Sequence, residues 1–514
     1  MLQLLALPQA ESLALGGPRA NLQQLGGVRA AASPLRAAST RLGASATGSS
    51  SATAPAKTRS AGAVLTRETL AGAVTALATI PTSVSYATVV GVSPLVGIWS
   101  SAIVGLFSAV VGREPGLISA AAGVIAIPMG LMFKAHGAAY VAATMVLAGF
   151  IEFMFGQLQL GTRMGLYCED SCDVFTGSHI NAPIIAGFMN AFFIFLIQKQ
   201  MHLFHSFSPA SLPSSLATAA LTIAGINVFP KLTQAVPGSL LGLMFASVLS
   251  VGVLKLPLLL LTDYAGPGVF AGGLGALPKF TGASLLKTLI GGQTGAASFA
   301  QLLKIILPAA VGVATISILE TAIAAEISGN NFVKAADEED AANYVPHGNR
   351  AMKGLGVGNF ISALLGGFGG CGVIPNTQLN ARSGGVGLSS SIAYSLTLAA
   401  SVVFAAPLIG QLPLAALGGL MIHVAFNTVE WHENKELFSQ VRSKGLSSSK
   451  VLVDLATMLV TTFVCIKGDM GLGVLAGVAV SKLAPVVDFL KSRTALLFKK
   501  GESAAVVVRP QFEG

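Results

Sequence analysis

The stretch GGFGGCGVIPNTQLNARSGG, which runs from Gly366 to Gly385, interrupts a chain made largely of long apolar segments. In hydrocarbon, a backbone N–H or C=O without a hydrogen-bond partner is so costly that irregular backbone survives only inside protein or beside a wet cavity. Glycines let the backbone bend and approach a ligand closely, and Pro375 suits the first turn of a helix. The stretch therefore indicates a binding site within a membrane protein.

A helix that begins at Pro375 would direct N–H groups and a partial positive charge into the protein, which suits an anion. The glycines have a second interpretation, because small residues also allow helices to pack closely in membranes. Binding is favoured because the glycines occur together with the proline and with the polar residues Asn376 and Thr377.

Composition indicates the class of protein. Hydrophobic residues make up 53% of the 514 positions, charged residues make up 10%, and the mean hydropathy is +0.72. Ordinary soluble domains hold roughly 25% charged residues. One span needs about 20 apolar residues, so the region 66–490 has room for about a dozen or more helices, and its apolar runs suggest about fourteen. We therefore expect an all-α polytopic membrane protein.

The first part of the chain differs from the apolar region. Residues 1–60 are rich in Ala, Ser, Gly and Leu, with basic residues against the single acid Glu11. This composition is typical of a transit peptide, and a plain disordered cytoplasmic tail is the alternative. A plastid is favoured over a mitochondrion, so the chloroplast envelope is the expected location, with another organelle or the plasma membrane as the alternatives. Basic residues after Ile327 and Phe426 place both termini on the cytoplasmic or stromal side. The net charge of +9 thus reflects topology and implies no nucleic-acid partner.

The first half of the chain holds a weaker counterpart of the glycine stretch, REPGLISAAAGVIAIP, from Arg113 to Pro128. Ser119 opens a run of small residues that ends at Gly123, so the backbone there could also face a ligand. Two short, interrupted segments in corresponding halves are typical of inverted-repeat transporters, whose broken helices meet at the bilayer midplane.

Glu320, in VATISILETAIAAEIS, is the acid most indicative of function. An ionisable group within a membrane span is costly and marks a functional site by default, and a carboxyl in a dry site can carry a proton. The alternative is a carboxylate satisfied by a local hydroxyl such as that of Thr321. Glu152 and Asp454 are expected near interfaces or in helix contacts.

Other clusters carry weaker signals. The acidic run from Asp337 to Asp340 is interpreted as a solvated loop, and Cys168 and Cys172 lack the histidine pattern that would complete a zinc site. The four cysteines are too few and too scattered for a disulfide framework. No metal, cofactor or nucleophile and base pair is predicted, so an enzyme is not favoured.

Three segments resemble one family, the SulP inorganic anion transporters. LAGAVTALATIPTSVSYATVVGVSPLVGIWSS, Leu70 to Ser101, is similar to the first helix of that family. PIIAGFMNAFFIFLIQKQ, Pro183 to Gln200, resembles its fifth helix, and the stretch from Gly366 resembles the approach to its tenth. The similarity extends over most of residues 65–490 in matching order.

The resemblance implies a seven-plus-seven inverted repeat, in which a gate domain slides against a core domain that holds the anion between facing half-helices, the third and the tenth. Glu320 falls at the eighth-helix position where relatives carry an acid used in cation coupling. The residues implied to bind the anion are Ser119, Ala120, Ala121, Ala122, Gly123, Cys371, Gly372, Val373, Ile374, Pro375, Asn376 and Thr377. Those implied to line a first-helix cavity are Pro81, Ser85 and Tyr86.

The favoured function is secondary transport of a small inorganic oxyanion, sulfate ahead of bicarbonate, by an elevator-type mechanism. Sodium-coupled bicarbonate carriers of the family have Asp and Thr where this chain has Glu320 and Ala324, so a proton is the first choice of coupling ion. The alternatives are a bicarbonate transporter, a nucleobase transporter of the same fold and a passive anion channel. Residues 491–514 are too short for the STAS domain of many relatives, so regulation through one is not expected, and a homodimer is left open.

Overall fold

The computed structural model describes most of the membrane region. It covers residues 61–163, 182–233, 236–273, 299–335, 348–445, 448–467 and 470–483, with the single positions 276, 278, 280, 282 and 344. The predicted leader at 1–60, the cysteines at 168 and 172, the acidic run at 337–340 and the tail at 491–514 lie outside these residues.

The described first half consists of helices joined by short turns, with one two-residue strand. Its α-helices are α1 (Ala61–Val90), α2 (Pro94–Phe107), α3 (Gly123–His136), α4 (Ala138–Gln157), α5 (Leu160–Arg163), α6 (Ala182–His205), α7 (Leu212–Leu232), α8 (Gly238–Ser247) and α9 (Leu261–Ala265). Wider π-helical turns continue α2 through Ser108–Gly112 and α8 through Val248–Val253. Strand β1 comprises Ser119–Ala120, and a 3₁₀ turn comprises Pro267–Phe270.

The described second half again places one short strand directly before a helix. Its α-helices are α10 (Phe299–Ala335), α11 (Gly348–Leu364), α12 (Ile374–Arg382), α13 (Leu388–Phe404), α14 (Ala406–Gly410), α15 (Leu414–Thr428), α16 (Trp431–Lys444), α17 (Ser449–Lys467) and α18 (Met470–Ser481). Strand β2 comprises Cys371–Gly372. The helix expected after the glycine stretch is thus confirmed as α12.

Six of the described helices are long and apolar enough to cross a bilayer, or seven if the pair Leu414–Thr428 and Trp431–Ser443, bent by 41°, counts as one span. An integral, multi-pass, all-α membrane protein is therefore confirmed. The count of about fourteen spans is not confirmed, because some apolar runs fold as helices of only 10–17 residues. The run Leu117–Met132, for example, is divided between β1 and α3.

The two strands join the halves of the chain. β1 and β2 are antiparallel, with Ser119 opposite Gly372 and Ala120 opposite Cys371. A Cβ added at Gly370 would lie 2.2 Å from the Ala120 carbonyl oxygen, so only glycine permits this approach. Because the strands are antiparallel, α3 and α12 leave the pair in opposite directions, each with its N-terminus at the strands.

Closely packed helices surround the strand pair. Helices α4 and α11 cross at two glycines: a Cβ at Gly149 would lie 2.7 Å from the Gly356 oxygen, and one at Gly356 would lie 2.5 Å from the Gly149 oxygen. Small residues let helix backbones approach in this way within a membrane. Ile125, Met129 and Phe192 are buried in the neighbouring apolar core. The strand pair is thus supported by tightly packed helices.

Candidate functional site

Helices α3 and α12 both begin at the strand pair without a side-chain cap. Their N-cap residues have extended backbone, with φ −128° and ψ 149° at Ala122 and φ −104° and ψ 108° at Val373. The first N–H groups of a helix lack partners within it and carry a partial positive charge. Two such helix starts at one place can hold an anion. We call the backbone of residues 119–123 and 371–377 the cradle.

Hydrogen bonds across the strand pair and from α2 fix the cradle. The N–H of Val373 donates to the Ile118 oxygen at 2.9 Å, and the N–H of Ile118 donates to Thr377 Oγ1 at 3.2 Å. On the other side, the N–H of Ala121 donates to Ser101 Oγ at 3.0 Å. The cradle is therefore held by contacts from both halves of the chain.

The cradle comprises the residues implied to bind the anion, and their exposure differs. Val373, Ile374 and Asn376 are half-buried and Pro375 is exposed, so the start of α12 is the accessible part. The Nδ2 group of Asn376 donates to Thr79 Oγ1 at 3.1 Å and ties α12 to α1. The buried members are Ser119, Ala120, Ala121, Ala122, Gly123, Cys371, Gly372 and Thr377.

The first-helix residues occupy different environments. A Cβ added at Gly123 would lie 2.9 Å from Tyr86 Cε1 and 2.5 Å from Phe192 Cζ, so two aromatic rings lie against the start of α3. Pro81 is buried within α1. Ser85 donates its hydroxyl to the Pro81 carbonyl oxygen at 2.8 Å. The structure therefore places Tyr86 at the cradle and gives the Ser85 hydroxyl a partner in its own helix.

Gly372 packs against α10. Its N–H donates to Thr321 Oγ1 at 2.8 Å. A Cβ added at Gly372 would lie 2.9 Å from Thr321 Cα and 3.1 Å from Ala324 Cβ. The packing interpretation of the glycines therefore applies at this position, where it allows β2 to lie on the helix that carries Glu320.

Glu320 lies beside the cradle. Its side chain is half-buried, and the Cys371 thiol donates to its Oε2 atom at 3.1 Å. The Thr321 hydroxyl bonds Gly372, so the partner of Glu320 is Cys371 and not the neighbouring hydroxyl that the alternative interpretation named. Among the described residues, no lysine, arginine or histidine forms an ion pair with Glu320. Because a carboxylate without a cation is costly in a membrane core, the group is suited to binding a proton.

Sequence reasoning missed Asn359 as a support of the cradle. This residue is fully buried on α11, accepts the N–H of Gly370 at 2.8 Å and donates to the Gly370 oxygen at 3.0 Å. The signal in the sequence was an asparagine within an apolar helix, because a buried amide group needs a hydrogen-bond partner. Glu152 was expected near an interface or in a helix contact. It lies in a helix contact, where it bonds Asn359.

Comparisons with known proteins agree with the resemblance seen in the sequence. The model of the sulfate permease family matches residues 288–446, which include Glu320 and the second half of the cradle. YbaR of Bacillus subtilis, a putative sulfate transporter, is 25% identical over 427 residues, covering 83% of this chain and 78% of that protein. The bicarbonate transporter BicA of Picosynechococcus sp. is 25% identical over 436 residues, covering 78% and 68%.

The fold has a solved counterpart. The transmembrane domain of a cyanobacterial bicarbonate transporter, BicA, matches with a TM-score of 0.60 at 20% identity, covering 81% of this chain and 97% of that domain. The family model and the curated relatives, together with this fold, confirm the resemblance to the SulP family. The matched relatives are transporters rather than enzymes, in agreement with the prediction from the sequence.

Proposed function

We propose that this SulP-family anion transporter moves a small inorganic oxyanion across its membrane together with a proton, with sulfate as the favoured substrate. The observation that carries the proposal is the pair of helix starts, α3 and α12, which meet the strand pair without side-chain caps. The oxygens of an oxyanion accept hydrogen bonds from such N–H groups. No covalent chemistry is needed.

An elevator-type cycle would carry the cradle past the rest of the protein. In such a cycle the core domain slides against the gate domain and takes the bound anion with it. Hydrogen bonds support movement of the cradle as one body, because they join it to α1, α2 and α10. These bonds are Asn376 to Thr79, Ala121 to Ser101 and Gly372 to Thr321.

Glu320 would provide the coupling to protons. Its carboxyl group contacts Cys371, which belongs to the cradle, so an ionised Glu320 and a bound anion would repel each other. A proton on Glu320 removes this repulsion. Since each ligand then favours binding of the other, proton and anion enter and leave together, which is symport.

Two substrates are considered, and sulfate is placed first because the matching family model and YbaR are named for it. Glu320 and Ala324 stand where sodium-coupled bicarbonate carriers of the family have Asp and Thr, which favours a proton over sodium as the coupling ion. Bicarbonate is the second candidate because BicA matches this chain both in sequence and in fold. The composition of residues 1–60 favours the chloroplast envelope as the location.

Uptake into proteoliposomes tests the proposal. Labelled sulfate and labelled bicarbonate are offered in parallel, with an inward proton gradient present or absent and with uracil as a competitor. Sulfate uptake that the gradient stimulates would support the proposal, whereas uptake of bicarbonate alone would change the substrate and keep the cradle. Uptake blocked by uracil would indicate a nucleobase transporter, and sulfate flux that ignores the gradient would indicate a passive channel.

A further inference from the structure

A second acid lies deep in the helix bundle. Glu152 on α4 is 0% exposed. Its Oε1 atom bonds the Ser317 hydroxyl of α10, and its Oε2 atom accepts a hydrogen bond of 2.7 Å from Asn359 Nδ2 of α11. Among the described residues, no lysine, arginine or histidine forms an ion pair with it. Coupling at Glu320 does not use this acid.

Asn359 connects Glu152 to the cradle. The amide of Asn359 bonds both backbone polar groups of Gly370, at 2.8 Å to the N–H and 3.0 Å to the oxygen. Gly370 directly precedes Cys371, the first residue of β2, and a Cβ at Gly370 would lie 2.2 Å from the Ala120 oxygen in β1. The orientation of one amide group thus determines how β2 approaches β1.

We propose that Glu152, in its protonated form, is a positioning residue that orients Asn359 and thereby holds β2 in the geometry that binds the anion. This inference rests on the proposed function, because it concerns the same cradle. Glu152 accepts a hydrogen bond from Nδ2 of Asn359, and Asn359 in turn bonds Gly370.

The contacts of Glu152 allow a neutral carboxyl group. The Ser317 hydroxyl donates to Oε1 of Glu152; when it donates instead to the Ala314 carbonyl oxygen at 3.2 Å, its own oxygen can accept the proton of a neutral Glu152. The second carboxyl oxygen then accepts from Asn359. An ionised Glu152 would instead be a buried charge without a cation, close to a site for an anion.

Among the residues that the structure describes, the titratable groups around Glu152 form no ion pair with it. Helix α10 contributes Glu320, about one turn after Ser317, and β2 contributes Cys371. Helix α11 contributes Lys353, whose side chain lies against Gly156, about one turn along α4 from Glu152. Lys353 forms no ion pair with Glu152.

Three variants test the inference. For each one, the KM and the kcat of anion uptake are measured. Glu152→Gln keeps a neutral group that can donate to Ser317 and accept from Asn359, whereas Glu152→Ala removes both contacts. Asn359→Ala removes the link to Gly370. Thr144→Ala is the matched control, because Thr144 is also buried on α4 but bonds only the Tyr140 oxygen of its own helix, at 2.7 Å.

We expect Glu152→Gln and the control to keep KM within about twofold of the wild type, while Glu152→Ala and Asn359→Ala each raise it about tenfold, the effect of losing one buried hydrogen bond. The double Ala variant should be no worse than the more severe single variant, since both act through one contact. If Glu152→Gln and Glu152→Ala raise KM equally, the protonated form of Glu152 does not have the proposed role. An unchanged KM in Glu152→Ala, or additive losses, would overturn the positioning role.

Amide hydrogen exchange provides a readout that does not depend on transport. The segment with Gly370 and Cys371 should exchange faster in Glu152→Ala and Asn359→Ala than in Glu152→Gln, which should match the wild type. Equal exchange in all variants would overturn the inference. If the wild type takes up no tested anion, the proposed function fails, and this exchange measurement still decides whether Glu152 holds β2.

Discussion

The thiol of Cys371 donates a hydrogen bond of 3.1 Å to Oε2 of Glu320. Cys371 is the first residue of β2 and lies opposite Ala120 of β1, so this contact links the acid on α10 to the strand pair from which both half-helices begin. A change of charge at Glu320 therefore occurs beside the proposed anion site. This closeness is the physical basis of the proposed coupling between a proton and the anion.

Glu320→Gln should remove the dependence of uptake on the proton gradient. The amide is neutral at every pH, so it can neither release nor take up the proton, while it can still accept a hydrogen bond from Cys371. Uptake is measured in proteoliposomes with and without the gradient. The control is Glu326→Gln, which alters another half-buried acid of α10 and should leave the stimulation intact. Unchanged stimulation in Glu320→Gln would remove Glu320 from the coupling step.

Thr321→Val should destabilise the protein. Thr321 Oγ1 accepts the buried N–H of Gly372 at 2.8 Å, and valine leaves that N–H without a partner at a cost of about 1–3 kcal/mol. Thermal unfolding of the protein in detergent measures the loss, and Thr321→Ser should restore most of the stability. Thr144→Val, where the hydroxyl bonds only its own helix, is the matched control. Equal melting temperatures for the two valine variants would contradict the assigned contact.

Glu68→Gln should loosen the attachment of α1 to α13. The carboxylate of Glu68 accepts N–H groups from Val386 at 2.9 Å, Gly387 at 2.9 and 3.0 Å, and Ser390 at 3.2 Å. A glutamine NH₂ would face these donors, with a loss of about 1.5–3 kcal/mol in the free energy of unfolding. Thr69→Ala, at the exposed neighbouring position, should change stability little. A variant as stable as the wild type would show that the carboxylate is not required.

Local signals in the sequence were enough to predict α12. Pro375 and the glycines before it mark a helix start, and the helix occurs at Ile374–Arg382. The strand pair was not predictable, because two residues are too short to show a strand period and their partner lies in the other half of the chain. The inference that two interrupted segments would meet was nevertheless confirmed by this pairing.

Side-chain partners were harder to predict than helices. Glu152 bonds Ser317 and Asn359, which are 165 and 207 positions away in the chain, and no sequence period connects such positions. Gly372 was expected to face the ligand, yet a Cβ there would point at Thr321. A bulky substitution at Gly372 would therefore disrupt the packing of β2 on α10 and would not test anion binding alone.

The start of α3 is proposed to help hold the anion, and a substitution at its N-cap residue, Ala122, tests this role. Ala122 has the extended backbone of an N-cap, which is the geometry in which an Asp or Asn side chain caps a helix. Only Asp adds a negative charge where the anion would bind. The measurement is KM for the anion that the wild type takes up, with Ala122→Asn as the matched control.

We predict that Ala122→Asp raises KM at least about tenfold above Ala122→Asn, because like charges repel within a site that excludes water. Because Ala122 is buried, both variants should melt below the wild type, and KM is compared between the folded fractions of the two variants. If Ala122→Asp and Ala122→Asn transport the anion with the same KM, the anion is not held at the start of α3, and the cradle is not its binding site.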